Sequence, residues 1–257
     1  KSLNASDFID EVEFIPLESK KGSYFRGSDE YFVGDKYILV LDPGGVQTLL
    51  FDRRGNFIRP IGKHGKGPGE LGEPREVTMD PNEEFVYIYD ASYNKLFMYS
   101  VNGEFIKDYD TSEISPSRYA TSINFINKAH FVLVNRTPRK PMDGFASLSV
   151  FDRDLNLVKS ILPRPNDDNL QINVNPHATF TVSPTGMSFW EPYADTLYNI
   201  TSEGEAIPTH VIGFSKGGPD YDFVTTNFNS NRYSDNSIVT IIEAGSYFHI
   251  WGMRDNE

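Results

Sequence analysis

The sequence predicts an all-β fold of the propeller type, a series of four-stranded antiparallel blades, and three observations carry that expectation. The first is a phrase written twice. Tyr37-Ile-Leu-Val-Leu-Asp42, Thr48-Leu-Leu-Phe51 and Asp52-Arg-Arg-Gly55 return as Phe85-Val-Tyr-Ile-Tyr-Asp90, Lys95-Leu-Phe-Met-Tyr99 and Ser100-Val-Asn-Gly103. The acidic residue precedes the aromatic by nine positions in both copies, and the copies lie 48 residues apart, the length of one blade. The second is composition: 14% aromatic residues, 20 Gly and 16 Pro suit short strands separated by tight turns. The third is length, since 257 residues suffice for one large β domain, and a single domain over 1-257 is expected.

The elements follow in order. Val12-Glu-Phe14-Ile-Pro16-Leu17 alternates, with Val12 and Phe14 on one side, and Pro16 ends it. With no hairpin partner nearby, residues 7–17 are expected to close the ring as an edge strand of the last blade. Repeats are expected at about 24–62, 73–110, 119–162, 177–214 and 237–257, each complete one with four apolar runs. In the third, Asn135 stands where Asp42 and Asp90 stand, but the following hairpin carries a basic, Pro-containing insertion, Arg136 to Gly144. In the fourth, Glu191 precedes Ile200 by the usual nine residues and His210 to Phe214 reads as the outer strand. The fifth gives Ser237 to Ile242 and Tyr247 to Trp251 and then stops. Half a blade would expose unpaired backbone groups, so the sequence is expected to be a fragment or to be completed by strands from outside it.

Charge excludes several partners. A formal charge of −12 and a pI near 4.9 do not suit a polyanion such as nucleic acid, nor an anionic membrane surface. No stretch approaches the roughly 18 apolar residues needed to span a bilayer as a helix. The absence of Cys rules out disulfides, thiolate metal sites and Cys nucleophiles.

Two motifs, Val12-Glu-Phe-Ile-Pro-Leu-Glu18 and Gly62-Lys-His-Gly-Lys-Gly-Pro-Gly-Glu-Leu71, resemble the six-bladed β-propeller proteins of Bacteroidetes, relatives of the NHL-repeat propellers. The resemblance implies export to the periplasm or outer-membrane surface of a Gram-negative bacterium. It also implies a lipoprotein whose signal peptide and anchoring Cys lie outside this sequence, and no assigned activity.

Candidate functional residues cluster before the innermost strands, where successive blades converge on a channel. Arg26, Arg75, Arg118 and Arg232 occupy such positions, Arg118-Tyr119 is echoed by Arg232-Tyr233, and the fourth repeat offers His177. A ring of guanidinium groups would form an electropositive mouth for a carboxylate, sulfate or acidic sugar. The commoner arrangement is an ion pair between each Arg and a neighbouring carboxylate. The Gly62 to Gly72 loop lacks the following helix that a phosphate cradle needs, and so reads as a blade-linking turn. Asp42, Asp90, Asn135 and Glu191 suit turn-capping better than calcium binding. Trp190, Tyr193, Tyr198, Trp251 and Tyr93 suit packing between blades better than stacking on sugars.

His64, His130, His177, His210 and His249 show no paired metal-ligand spacing, so neither a metal nor any other cofactor is expected. No Gly-x-Ser-x-Gly elbow occurs. The expected function is therefore a non-enzymatic cell-envelope binding module for a protein, peptide or glycan, an anionic ligand included. The alternative, which the resemblance also supplies, is a metal-dependent lyase or glycan hydrolase using His177, His249 and the arginines in the channel.

Overall fold

The computed structural model describes residues 11–27, 30–42, 47–111, 120–135, 146–163, 179–183, 186–190, 196–212, 236–244 and 247–254. They fall into two compact units, Lys1–Asp110 and Thr111–Glu257. The first holds two four-stranded antiparallel sheets: β1 (Tyr31–Val33), β2 (Tyr37–Asp42), β3 (Gln47–Asp52) and β4 (Phe57–Ile61), then β5 (Pro74–Met79), β6 (Phe85–Asp90), β7 (Lys95–Ser100) and β8 (Phe105–Asp110). The second holds β9 (Ala120–Phe125), β10 (His130–Asn135), β11 (Ala146–Asp152) and β12 (Leu157–Pro163), then β13 (Thr179–Ser183), β14 (Gly186–Trp190), β15 (Thr196–Ile200) and β16 (Ala206–Val211). A two-stranded sheet follows, β17 (Asn236–Ala244) with β18 (Tyr247–Arg254).

Middle strands explain why the sequence pattern is so plain. Strands such as β2 and β6 are buried along nearly their whole length, so both faces must be apolar and the run of hydrophobic residues is continuous. Within the first unit, Leu39, Leu41, Leu50 and Ile61 of the first sheet pack with Val77, Val86, Ile88 and Tyr99 of the second. Within the second unit the same register positions do the same work: Val132, Val134, Val150 and Ile161 pack with Met187, Phe189 and Ile200. One blade-to-blade interface is thus built twice from equivalent residues.

The hairpins are also equivalent. After β3, β7, β11 and β15 the chain turns with a residue at positive φ, namely Gly55, Gly103, Leu155 and Gly204. Asp52 accepts hydrogen bonds from the backbone N–H groups of Arg54 and Asn56 (both 2.9 Å), and Asp152 accepts from those of Asp154 and Asn156 (both 2.9 Å). Register shifts then make Ile58, Ile106 and Val158 extra residues on the outer strands, which turns all three toward solvent. Bulges of this kind spoil an exposed edge for pairing with another chain.

Two expectations need correction. Of the stretch 7–17, residues 7–10 lie outside the described residues and 11–17 form no strand: Val12 and Phe14 are exposed, Phe14 by 87%, while Ile15 and Leu17 cover Ile38, Val40, Leu49 and Phe51 of the first sheet. The segment is fastened by single bonds rather than a ladder. Glu18 N–H donates to the Gly55 carbonyl (2.7 Å), and the Glu18 carboxylate accepts from Phe57 N–H (2.9 Å). The fourth outer strand runs Ala206–Val211, not His210 to Phe214, because the tight Thr201 to Glu205 turn delivers the chain straight onto β15. Pro208 is tolerated there since the strand is an edge.

Candidate functional site

The linker from Gly62 to Gly72 closes on itself. Gly65 N–H donates to the Leu71 carbonyl (3.0 Å), Leu71 N–H to that of Lys63 (2.8 Å), and Gly67 N–H to the Glu70 carboxylate (2.8 Å). Lys63 pairs with Glu70 at 2.8 Å. The hydroxyls of Tyr93 and Tyr99 donate to the carbonyls of Gly65 and Gly69 at 2.8 and 2.9 Å, and Leu71 is wholly buried. Burial, first of all, raises the pKa of the Tyr99 hydroxyl, which therefore stays a donor. Gly69 lies at φ +68 with the Phe105 ring 2.4 Å from where a Cβ would sit, so glycine is required. Amide groups engaged in this way are a fastening, as the blade-linking reading expects.

Asp90 completes that fastening. It is fully buried, and its carboxylate accepts from Gly72 N–H (2.7 Å), Glu73 N–H (2.8 Å), Ser92 N–H (3.0 Å), Ser92 hydroxyl (2.7 Å) and Tyr93 N–H (3.2 Å). Asn135 holds the same place in the third sheet, donating to the Ala146 carbonyl (3.0 Å) and the Ser149 hydroxyl (2.7 Å). Asp90 is thus a turn cap, whereas Asn135 donates across to β11 and its Oδ1 accepts from no neighbour.

Of the residues expected at a channel mouth, Arg26 is exposed in the stretch before β1, and Arg75 is exposed on β5. A register shift between Pro74 and Glu76 makes Arg75 an extra residue on that strand, where it pairs with Glu73. Arg118, Tyr119, His177, Arg232 and Tyr233 lie outside the described residues, as do Tyr193, Glu191 and the 136–144 insertion. Close to Arg26 are exposed aromatics that the sequence reading passed over: Tyr24 (64% exposed), Phe25 and Tyr31 (66% exposed). Of the other aromatics singled out, Trp190 is fully buried, Tyr93 packs on the first core and Tyr198 on the second.

Glu76 follows Arg75 and is partly buried where β5 lies against β1 and β2. Burial pushes its carboxyl well above the ordinary 4.5, and the charge of Glu30 pushes the same way. A carboxyl raised in the folded state contributes stability that is complete below its unfolded value and is lost as pH climbs toward the folded one. Glu76→Gln is therefore expected to gain on the wild type as pH rises above about 4.5, read as Tm in parallel thermal melts. A Tm difference that stays flat across that range would contradict this.

A second polar site lies in the second unit, between the third and fourth sheets. A cavity of about 390 Å³ is lined by Asn127, His130, Val150, Val158, Ser202 and Glu203. Asn127 organises it. Its Oδ1 accepts from the N–H groups of Ala129 (2.6 Å) and His130 (2.8 Å), and its Nδ2 donates to the Ser202 carbonyl (2.6 Å) and lies 3.2 Å from His130 Nδ1. The Glu203 carboxyl is held below its ordinary range, first by the Ser202 hydroxyl at 2.7 Å. Among the described residues, no group of three or more His, Asp or Glu side chains is placed to hold a metal ion. His64 and His210 stand apart from His130 in the chain, both exposed, and the side chain of His249 lies outside the description.

Four small antiparallel sheets of one design, followed by a two-stranded sheet, define an all-β propeller among the described residues, and comparison with solved structures shows the same class. The chain is similar to a Bacteroides fragilis protein described as exported, with a TM-score of 0.74 and 18% identity over 99% of this chain and 72% of that one. It is similar to a member of the DUF4221 family from Bacteroides vulgatus, with a TM-score of 0.56 and 16% identity over 77% and 61%. It also resembles virginiamycin B lyase from Staphylococcus aureus, with a TM-score of 0.51 and 12% identity over 88% and 62%. At these identities the likeness is one of fold. The chain belongs to the family described as Domain of unknown function (DUF4934), which matches residues 1–257. No curated protein matches it.

Proposed function

We propose that this protein is a non-enzymatic binding module of the cell envelope, a single propeller domain that presents one face or its central channel to a glycan, peptide or protein. The observation that carries the reading is the exposure of Tyr24, Phe25, Arg26, Tyr31 and Arg75 before and on the first strands of the two sheets, where most other large rings among the described residues are buried or half-buried. Aromatic and Arg side chains outside the core are the usual anchors of recognition. Arg118, Tyr119, His177, Arg232 and Tyr233 belong to the same proposed mouth. The fold likeness to a Bacteroides protein described as exported supports a periplasmic or outer-membrane placement. A six-bladed, NHL-like ring and an upstream lipid anchor complete the reading.

The test is a glycan and peptide array with the wild type and the double variant Tyr31→Ala, Arg75→Ala. Each truncation of an anchor costs about 1–2 kcal/mol, so a combined loss of about tenfold or more in affinity is expected. An array hit that the double variant binds as well as the wild type would remove these side chains from the site. The alternative, a metal-dependent lyase or glycan hydrolase in the channel, draws on the fold likeness to virginiamycin B lyase and predicts turnover with a stoichiometric metal ion.

A further inference from the structure

The cavity between the third and fourth sheets is a departure from the repeat, and the equivalent place in the first unit shows what it departs from. His130 opens β10 as Tyr37 opens β2, each paired with the Asp that ends the next strand, Asp152 and Asp52. Ser202 and Glu203 occupy the hairpin positions of Val101 and Asn102, since Thr201 N–H and Ser100 N–H make the same turn bonds to Glu205 and Glu104. Lys159 and Arg59 are likewise equivalent, each reaching the next sheet's turn: Lys159 pairs with Glu205, and Arg59 donates to the Asn102 carbonyl at 2.8 Å. In the first unit, Tyr37 and Val101 pack onto the apolar core. In the second, an imidazole and a hydroxyl stand in their place and the space is open.

We infer that this groove is a binding site for a neutral sugar, separate from the proposed channel mouth. A volume of about 390 Å³ is far more than the ~30 Å³ share of a single water and lies in the range of small-ligand pockets. The lining suits a polyol. Asn127 Nδ2 is a donor, so the 3.2 Å contact assigns His130 Nδ1 as the acceptor and leaves Nε2 as the ring's donor. The Glu203 carboxylate, fixed by Ser202, accepts. Val158, half exposed because the β12 bulge turns it outward, offers an aliphatic surface to the C–H face of a pyranose over the buried Val150. Donor, acceptor and apolar wall together recognise hydroxyl-bearing rings, whereas the carboxylate and the overall charge of −12 repel anions. A frame that keeps its apolar pattern at this place in the first unit and breaks it in the second breaks it where function is expected.

The test uses the chain with uniform nitrogen-15 label and millimolar glucose, galactose, mannose and N-acetylglucosamine, one at a time, with a lysine-containing tripeptide as the cationic comparison. At least one sugar is expected to shift the amides of Asn127, His130, Ser202 and Glu203 saturably. The variant His130→Tyr, Ser202→Val restores the residues the first unit uses and should fold. It is expected to weaken that sugar by about tenfold or more through loss of a hydrogen bond and closure of the space, while Asn102→Ala leaves binding unchanged. No sugar shifting these amides, equal binding by the filled variant, or response to the tripeptide alone would each overturn the inference. Sugar shifts confined to the proposed mouth would sink the groove and leave the proposed function standing; sugar binding in the groove with turnover at the channel would do the reverse.

Discussion

Asp90→Ala is expected to lower the stability of the fold by about 3–5 kcal/mol, because it strips four backbone N–H groups of the buried carboxylate they share. Gly72, Glu73, Ser92 and Tyr93 all donate to this one carboxylate, which is fully buried. The loss should be read as a lower midpoint in urea with an unchanged m-value. Asp90→Asn keeps the shape and one acceptor oxygen and should lose roughly half as much. A loss below about 1 kcal/mol for the alanine variant would mean that water or a rearranged linker serves these amides.

Glu83 should be nearly as sensitive, for a different reason. It sits in the β5–β6 turn at φ 56, a strained backbone for a residue with a side chain, and it is buried. Its carboxylate reaches the β1–β2 turn of the other sheet in the unit, accepting from Asp35 N–H (2.8 Å), Lys36 N–H (3.0 Å) and Tyr37 N–H (2.9 Å). Gly34 leaves the room for it, since a Cβ there would stand 2.6 Å from that carboxyl. Glu83→Ala is expected to cost about 2–4 kcal/mol, and Glu83→Gly less, because glycine relieves the backbone strain while losing the same bonds. If the two variants were equal, the strain would carry no weight. If neither moved the denaturation midpoint, the tie between the two sheets would not matter to folding.

The frame was legible in the sequence because its physics is local and repeated. Middle strands buried on both faces must read as apolar runs, and hairpins that need positive φ show Gly55, Gly103 and Gly204 at one spacing. The role of Asp90 as a turn cap could be read from its place at the end of such a run. What could not be read was which partner a side chain meets across sheets. The alternation of Val12 and Phe14 suggested a buried face, yet Ile15 and Leu17 are the pair that packs, because the first sheet needs a cover and not another ladder. Glu83 resembles any turn glutamate until the neighbouring turn is placed beside it. The groove at His130 escaped notice for a related reason. A lone His and a Ser in separate repeats carry no motif, and aligning them with Tyr37 and Val101 shows their meaning only once the two interfaces are seen to be the same. That alignment was the one signal available in advance.

Recognition without chemical change is the claim on which the functional account rests. It is tested most directly by recovering an array-selected ligand after long incubation with the protein and measuring its mass. The account predicts an unchanged ligand released at the input stoichiometry. A cleaved or eliminated product formed in excess over protein would contradict it and make the propeller a catalyst.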